Sequence, residues 1–277
     1  MNARAFAREL LPAVVVRALR TLGHADAPPA RPVSRAYPTW DAAAAACQGY
    51  DAHDILARAE AATQLVLSGR AEFERDTVAF QQMEYPFAVL AGLLHAAAAS
   101  QSAPFNVLDF GGSLGGTYRQ CRAFLGGAAR LQWAVVEQEH VARAGRARYA
   151  NDELNFYGQI AEAATAHPPA VVLASSSIQY LRDPHAALAA LARTSAHHFI
   201  IERTPLVDGK ADRVVAQQVP PEIYPGSYPC WVLSRERVLQ SIGPGWDVLA
   251  DYACADAPLQ TDFGDVAWRG LIFRRRP

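Results

Sequence analysis

Residues 105–121 read FNVLDFGGSLGGTYRQC, a short apolar run followed by four glycines within six residues and then a helix-forming stretch. A strand that ends in a glycine-rich turn and continues as a helix is typical of ligand sites in open α/β sheets. Gly111 and Gly112 permit a turn that a Cβ would obstruct, and they let a ligand approach the main chain closely. The helix that follows directs free N–H groups at the same place. We therefore expect the loop to hold a nucleotide-like cofactor, with Asp109 either ordering the loop or meeting a cofactor ammonium.

From Phe105 onward, short runs of strand type alternate with helical patterns. This alternation predicts right-handed βαβ units and a mostly parallel sheet. The predicted parallel strands are NVLDF, LQWAVVEQ, LNFYG, AVVLASS and HHFIIER. WDVLADYAC and VAWRGLIFRR are expected to close the sheet as a hairpin. The predicted fold class is therefore α/β, with a mostly parallel, Rossmann-like seven-stranded sheet whose last strand is antiparallel.

Composition divides the chain into segments. Residues 1–36 combine an amphipathic stretch with most of the Pro- and Ala-rich linker GHADAPPARPVSRAYP (23–38). Residues 37–102 are rich in strong helix formers and predict a helical N-terminal extension. Residues 103–277 are expected to form the Rossmann-like domain, with an aromatic insertion at about 204–232.

Charge and cysteine content exclude several classes of protein. The formal net charge is −1 and the arginines are scattered, so we expect no nucleic-acid-binding surface. The four cysteines lie far apart without a CxxC pair, which argues against a metal site or a disulfide framework and favours the cytoplasm. No stretch approaches the roughly 20 apolar residues of a membrane span. Residues 1–22 are expected to dock on the protein as an amphipathic helix, or to make weak contact with a membrane surface. The sequence leaves the oligomeric state open.

An acidic residue ends the second predicted strand. In WAVVEQ this is Glu137, whose carboxylate can accept hydrogen bonds from both hydroxyls of a ribose. The dinucleotide fingerprint G-x-G-x-x-G fails, because Ser113 replaces the second glycine and Glu137 lies 26 residues after Gly111 instead of about 20. S-adenosylmethionine fits better, with its ribose on the acid and its amino-acid end over the glycine loop. An NAD-dependent or nucleotide-sugar enzyme is the less favoured alternative.

Longer stretches carry a resemblance to a known family. They are YPTWDAAAAACQGYD, GRAEFERDTVAF, VLDFGGSLGGTYRQ, WAVVEQ, LNFY, VVLASSSIQYLRDP, IIERTP, VPPEIYPGSYPCWVLS and RGLIF. In these stretches, almost the whole chain from Tyr37 onward resembles an uncharacterised family of bacterial class I methyltransferases that use S-adenosyl-L-methionine. The resemblance implies methyl transfer to a small-molecule or glycan acceptor, in the setting of surface-polysaccharide synthesis. A catalytically silent, methyltransferase-like binding module is the alternative, favoured by the altered glycine loop.

Matching the motifs residue by residue implies a set of cofactor contacts. Asp109, Gly111 and Gly115 match the acid and the outer glycines of D-x-G-x-G-x-G, with Ser113 at the middle position and Gly112 displaced by one. The resemblance places the ribose at the end of the second strand, the adenine after the third, and the methyl group beside the SSSIQY turn after the fourth. The remaining expected site residues are Glu137, Gln138, Gln159, Ser175, Ser176, Gln179 and Tyr180.

Methyl transfer to a hydroxyl also needs a base that takes the acceptor's proton. Glu202, in IIERTP after the fifth strand, is the first candidate, and His185, in DPHAAL, is the second. The alternative for Glu202 is a salt bridge or cap with its neighbour Arg203.

The segment QQVPPEIYPGSYPCWVLS (217–234) concentrates prolines and aromatic residues. Prolines stiffen a loop, and we expect Tyr224, Tyr228 and Trp231 to form a lid over the acceptor. The alternative is an aromatic plug packed against the helical N-terminal region. ERDTVAF (74–80) is expected over the same face, where Arg75 and Arg203 either clamp an anionic acceptor or join a surface ion-pair network.

Overall fold

A long central sheet organises the chain. The computed structural model describes residues 33–47, 52–100, 104–125, 130–219 and 226–277. The strands in that part of the chain are β1 (Arg35–Tyr37), β2 (Phe73–Arg75), β3 (Val78–Phe80), β4 (Phe105–Phe110), β5 (Leu131–Val136), β6 (Leu154–Tyr157), β7 (Val171–Ser175), β8 (His198–Val207), β9 (Arg213–Gln218), β10 (Ser227–Ser234), β11 (Trp246–Ala253), β12 (Leu259–Thr261), β13 (Gly264–Val266) and β14 (Trp268–Arg275). The α-helices are α1 (Trp40–Ala46), α2 (Ala52–Leu67), α3 (Phe87–Ala99), α4 (Gly116–Leu125), α5 (Glu139–Arg148), α6 (Ile160–Ala166), α7 (Pro184–Ala192) and α8 (Arg235–Ile242), with a 3₁₀ turn at Ile178–Tyr180.

Seven strands lie side by side in the order β6–β5–β4–β7–β8–β14–β11. The strands from β6 to β8 pair in parallel, and β14 runs antiparallel to both β8 and β11. The predicted sheet and its closing hairpin are confirmed. The chain leaves β4 toward β5 and β6 and then returns to β7 on the other side of β4. The strand order therefore reverses between β4 and β7, which is where open α/β sheets bind ligands.

Helices cover both faces of this sheet. On one face, α2 to α5 pack on the strands, and Leu93 and Cys121 are fully buried there with Trp133. On the other face, α6 to α8 enclose Leu188 and Phe199. The central strands are apolar on both sides because both sides are covered. The carboxyl ends of the strands are the edge that a ligand can approach.

The expected helical extension is present, but it contains a hairpin. α1, α2 and α3 lie within the stretch from Trp40 to Ser100, and Thr39 caps α1 by accepting the Ala42 N–H at 3.2 Å. Between α2 and α3, β2 and β3 pair antiparallel, with the Phe73 and Phe80 rings stacked 4.6 Å apart. The sequence did not predict this hairpin, because three-residue strands are too short to show alternation.

The predicted linker is partly a strand. Its end, β1, pairs antiparallel with β9 instead of running free, because an edge strand offers unpaired backbone groups. The chain from Val33 to Pro277 forms one compact unit that holds both the extension and the sheet. The division near residue 102 stays a prediction, and the helix predicted for residues 1–22 lies outside the described residues. Within the described residues, no helix is long and apolar enough to cross a membrane.

The insertion at about 204–232 is largely β-structure. β9 pairs antiparallel with β10, and β10 joins the end of β8 in parallel. These strands share a third small core with β12 and β13. The prolines had suggested a stiff loop, yet Pro229 stands opposite Ala216 within the ladder. Residues 220–225, which include Tyr224, lie outside the described residues.

Candidate functional site

A cavity of about 310 Å³ opens at the carboxyl edge of the sheet. The glycine loop after β4 and the serine turn after β7 line it, so the cavity lies where the strand order reverses. The end of β8 and the segment that follows β11 add a further wall. The hairpin β2–β3 and the start of α3 close the remaining side. The N-terminal extension and the sheet therefore both contribute to the site.

The glycine loop is folded tightly onto the strand ends. Gly111 has a φ of 77°, and a Cβ there would overlap the Ser177 side chain. A Cβ on Gly112 would overlap the Asp109 carboxylate. Asp109 is 1% exposed, accepts the Trp133 Nε1–H at 2.9 Å, and has its pKa raised to about 7 by burial. Asp109 therefore lies beneath the loop, but among the described residues no loop N–H donates to it, and both roles expected for it stay predictions.

Glu137 ties the end of β5 to the glycine loop. Its Oε1 accepts the Ser113 N–H at 3.1 Å, and its Oε2 accepts the Gln138 N–H at 3.0 Å. Burial raises the pKa of this carboxyl. Gly115, at a φ of 88°, begins the turn into α4. Glu137 stands beside the cavity and not in its wall. Each of its oxygens keeps a lone pair for a further hydrogen bond.

The other expected cofactor residues lie near the same edge. Gln138 and Gln159 are exposed and precede α5 and α6, which begin without a side-chain cap. Ser175 and Ser176 line the cavity. Gln179 is fully buried, and its Nε2 donates to the Ser176 Oγ at 3.4 Å and to a β8 carbonyl at 3.2 Å. Gln179 therefore braces the serine turn from behind and does not line the cavity.

Glu202 lies in the cavity wall at the β8 end. It is 9% exposed and accepts hydrogen bonds from the Tyr252 Oη and, at 3.5 Å, from the Cys254 Sγ. Burial raises the pKa of both Glu202 and Tyr252. Sequence reasoning missed Tyr252 and Cys254, although a signal existed. β14 is antiparallel to both β8 and β11, so β8 and β11 run in the same direction. The carboxyl end of β11 must therefore reach the same edge of the sheet as that of β8.

The guanidinium groups of the cavity wall are already paired. Arg203 donates to Asp76 at 2.8 Å and to Asp256 at 3.1 Å. Arg75 lies 3.6 Å from a Glu84 carboxylate oxygen. The ERDTVAF segment does come over the cavity, as the sequence predicts. Its arginine and Arg203 form the ion-pair network that was the alternative to an anion clamp.

His185 does not reach the cavity wall. Its Nδ1 lies 2.7 Å from the Ser241 Oγ and its Nε2 lies 2.8 Å from the Asp212 Oδ2. Asp212 also accepts a hydrogen bond from Arg237. These contacts tie α7 to α8, so Glu202 is the one of the two candidate bases that the structure brings into the cavity wall.

Tyr228 and Trp231 pack against protein and not over the cavity. The Trp231 ring stacks on Trp40 of α1 with centroids 5.8 Å apart, and its Nε1–H donates to the Leu181 carbonyl at 3.0 Å. Tyr228 meets Tyr180 edge-on at 5.1 Å. None of these rings lines the cavity. Trp231 therefore packs against an N-terminal helix, as in the plug that was the alternative to a lid, whereas Tyr228 packs against the turn after β7.

Backbone strain is concentrated at the cavity. The non-glycine residues with positive φ, among those described, are Asp76, Thr77, Ser113, Ser176 and Arg203. All but Thr77 line the cavity. The left-handed conformation costs roughly 1–2 kcal/mol per residue. Such strain persists where the surroundings enforce it, and it clusters at functional sites.

The cavity wall is acidic. Besides its two arginines it carries the carboxylates of Glu74, Asp76, Glu84, Asp109, Glu202 and Asp256. Because both arginines are paired with carboxylates of this same group, the wall offers no guanidinium that is free for an anion. A wall of this kind suits a cationic or neutral ligand better than an anionic one.

No family model matches the chain, and no curated protein is significantly similar to it. Among solved structures, the chain is similar to the N-terminal domain of EvdMO1 with SAH and D-fucose, with 16% identity over 82% of this chain and 98% of that chain and a TM-score of 0.48. The [4+2]-cyclase SpnF has 14% identity over 89% and 98%, with a TM-score of 0.47. The glycopeptide N-methyltransferase MtfA with S-adenosyl-L-methionine has 15% identity over 68% and 94%, with a TM-score of 0.45. Likenesses this distant carry no functional weight, and the fold rests on the strand order and pairing described above.

Proposed function

We propose that the protein is a methyltransferase that uses S-adenosyl-L-methionine to methylate a hydroxyl of a small molecule or glycan. The observation that carries the proposal is the cavity between the glycine loop and the serine turn, at the point where the strand order reverses. The resemblance of the sequence motifs to class I methyltransferases agrees with this position. The same resemblance favours a role in surface-polysaccharide synthesis. The scattered cysteines favour the cytoplasm, and the amphipathic stretch at 1–22 favours the membrane periphery.

Charge favours this cofactor over the alternatives. NAD and nucleotide sugars bring a pyrophosphate, which proteins bind with free arginine or lysine side chains or with a glycine-rich helix N-terminus. Here both wall arginines are paired with carboxylates, the wall carries six acids, and the Glu74 carboxylate lies at the glycine-rich N-terminus of α4 where a pyrophosphate would bind. S-adenosylmethionine carries a sulfonium and an ammonium, which an acidic wall attracts.

The loop and strand-end residues fit this cofactor. The close packing of Gly111 and Gly112 keeps the loop low over the strand ends, where any side chain in their place would overlap Ser177 or Asp109. We propose that Glu137 accepts both ribose hydroxyls and that Gln159, or a backbone carbonyl near it, accepts from the adenine amino group. Ser175 and Ser176 would face the methyl group. The cofactor supplies the methyl group and the leaving sulfur, and the chain supplies position.

Glu202 is the group we propose as the base. A hydroxyl acceptor must lose its proton as the new carbon–oxygen bond forms, and a carboxylate in the cavity wall can take that proton. Burial raises the pKa of Glu202, which makes its carboxylate a stronger base than an exposed glutamate. Tyr252 and Cys254 donate to its two oxygens and fix its orientation.

Calorimetric titration with S-adenosylhomocysteine and, separately, NAD tests the cofactor. Binding of the first and not the second supports the proposal. Binding of NAD alone would favour the dinucleotide alternative, and binding of neither would refute a nucleotide site.

Methyl transfer separates the enzyme from a silent binding module. The altered loop, in which Ser113 adopts a φ of 50°, is the observation that favours the module. Methyl-labelled S-adenosylmethionine is incubated with small-molecule and glycan extracts and with either wild type or Glu202→Gln. Label transfer by wild type that is lost in Glu202→Gln, while the affinity for S-adenosylhomocysteine is kept, supports the enzyme. Tight binding with no transfer by wild type would favour the module.

A further inference from the structure

One carboxylate in the cavity wall has no partner. Glu74, on β2, is 6% exposed and lines the cavity beside the glycine loop. Within the described residues its carboxylate makes no hydrogen bond and no ion pair. The other wall carboxylates each contact a donor side chain, as described above: Asp76, Glu84, Asp109, Glu202 and Asp256.

An unpaired buried carboxylate is costly, because burial removes the water that stabilises its charge. For Glu74 the loss of water raises the pKa to about 7, a rise that the positive charge of Arg119 opposes and the Asp76 carboxylate adds to. Arg119 lies beyond ion-pair distance of Glu74 and does not line the cavity. A cation that enters the cavity would therefore meet one carboxylate whose hydrogen-bonding capacity is unused.

Glu74 also has a defined place relative to the glycine loop. A Cβ built on Gly116, the first residue of α4, would overlap the Glu74 Oε1. The carboxylate thus lies at the point where the loop becomes the helix. The turn that follows β2 is held with Asp76 at a φ of 52° and Thr77 at 68°. Strained turns of this kind persist where the surrounding structure enforces them.

We propose that Glu74 is a cofactor-binding residue that accepts hydrogen bonds from the α-ammonium of the amino-acid end of S-adenosylmethionine. This inference rests on the proposed function, which places that end over the glycine loop. An ammonium has three N–H donors and no acceptor, so a carboxylate in the cavity wall with both oxygens unbonded suits it. Asp109 is the other acid near the loop, but its Oδ2 accepts from Trp133 and the residue is only 1% exposed, against 6% for Glu74.

The competing explanation is purely structural. A carboxylate at the N-terminus of α4 is stabilised by the helix dipole without any ligand. A dipole role predicts a change in the melting temperature of Glu74→Gln with no change in cofactor affinity. A ligand role predicts a change in affinity that depends on the amino-acid end of the ligand.

The test is calorimetry with two ligands that differ only in that end. S-adenosylhomocysteine carries the amino acid, and 5′-methylthioadenosine keeps the adenine, ribose and sulfur without it. Glu74→Gln is expected to lower the affinity for S-adenosylhomocysteine by about 10- to 100-fold, the range for one hydrogen bond between charged groups. The affinity for methylthioadenosine should stay within about twofold of wild type. Glu72→Gln is the matched control, because Glu72 lies two residues before Glu74 in the chain but is exposed and does not line the cavity. It should change neither affinity by more than about twofold.

The remaining outcomes overturn the inference in distinguishable ways. Unchanged affinity of Glu74→Gln for S-adenosylhomocysteine refutes the role of Glu74 and leaves the proposed function intact. Equal weakening of both ligands means that Glu74 supports the loop structurally. If wild type binds neither ligand, the proposed function itself fails, and the role of Glu74 fails with it.

Discussion

The two ends of the cavity are built differently. At the loop end, Glu137 holds the loop through the Ser113 backbone, and the Glu74 carboxylate is left without a partner. At the β8 end, Glu202 is bonded to Tyr252, and Arg203 is neutralised by two aspartates. The loop end therefore offers a carboxylate without a hydrogen-bond partner, whereas each charged side chain named at the β8 end already has one. This difference favours a cationic cofactor at one end and a neutral acceptor at the other.

The two ends of the cavity also differ in which parts of the chain form their walls. The loop end depends mainly on main-chain geometry close to the strand ends, which a short stretch of sequence encodes, and β2 adds Glu74 to it. The β8 end is assembled from three distant places, namely the hairpin β2–β3, the end of β8 and the segment after β11. Variants that affect one end without the other can break or sharpen this comparison.

The largest effect is expected at Gly111. Gly111→Ala puts a Cβ at a φ of 77° and against Ser177. We expect a loss of about 2–4 kcal/mol in the free energy of unfolding, from left-handed strain and overpacking together. Binding of S-adenosylhomocysteine should fall by more than about 100-fold, because the displaced loop no longer lies low over the strand ends. Urea unfolding and calorimetry measure the two quantities.

Gly209→Ala is the control for that variant. A Cβ on Gly209 meets nothing within 4 Å, so stability and affinity should both stay near wild type. If Gly111→Ala is as stable as Gly209→Ala and binds as tightly, the loop end is not the tightly folded site described here.

A smaller effect, on stability alone, is expected at Trp231. Trp231→Ala removes the stack on Trp40 and the hydrogen bond to the Leu181 carbonyl. We expect the free energy of unfolding to fall by about 2–3 kcal/mol, as for partly buried aromatic residues. Affinity for S-adenosylhomocysteine should stay within about twofold, because the ring does not line the cavity. If Trp231→Ala is as stable as wild type but loses methyl transfer, the hypothesis that Trp231 forms a lid over the acceptor is favoured instead.

The smallest effect is expected from pH. In the protein without ligand, burial raises the pKa of Glu74 to about 7. A ligand ammonium pairs with the ionised form of this carboxyl only. The affinity for S-adenosylhomocysteine relative to methylthioadenosine should therefore rise by about tenfold between pH 6 and 8 and then level off. Arg119 and Asp76 also face this carboxyl, so the ratio in Glu74→Gln is the reference. A ratio with the same pH dependence in Glu74→Gln would assign the effect to another group, such as Asp109.

Parts of the molecule could be predicted because their signals are local. The strand that ends at Asp109, the glycine loop and the acid at Glu137 lie in consecutive elements, and the parallel sheet aligns their ends. With right-handed crossovers, the reversal of strand order is what puts helices on both faces of the sheet. These residues could be placed from the sequence, and their contacts to a cofactor stay predictions.

Other parts depended on pairing between distant segments. Trp231 stacks on Trp40, which is far away in the sequence, and no local sequence pattern predicts that contact. The imidazole of His185 could have served as a base, yet both of its nitrogens contact other side chains, those of Ser241 and Asp212. Glu74 belongs to the ERDTVAF segment that the sequence placed over this face. That its carboxylate lacks a hydrogen-bond partner depends on three-dimensional packing alone. Side-chain pairing is decided by tertiary structure, which periodicity does not encode.

The central claim is that the loop and Glu137 together bind S-adenosylmethionine. Calorimetric titration of Glu137→Ala with S-adenosylhomocysteine tests it most directly, with Glu139→Ala as the control, because Glu139 pairs outside the cavity with Arg146. We predict that Glu137→Ala loses about 2–4 kcal/mol of binding free energy, the value of two ribose hydrogen bonds to a charged acceptor, and that Glu139→Ala loses almost none. Wild-type affinity in a folded Glu137→Ala variant would contradict the claim.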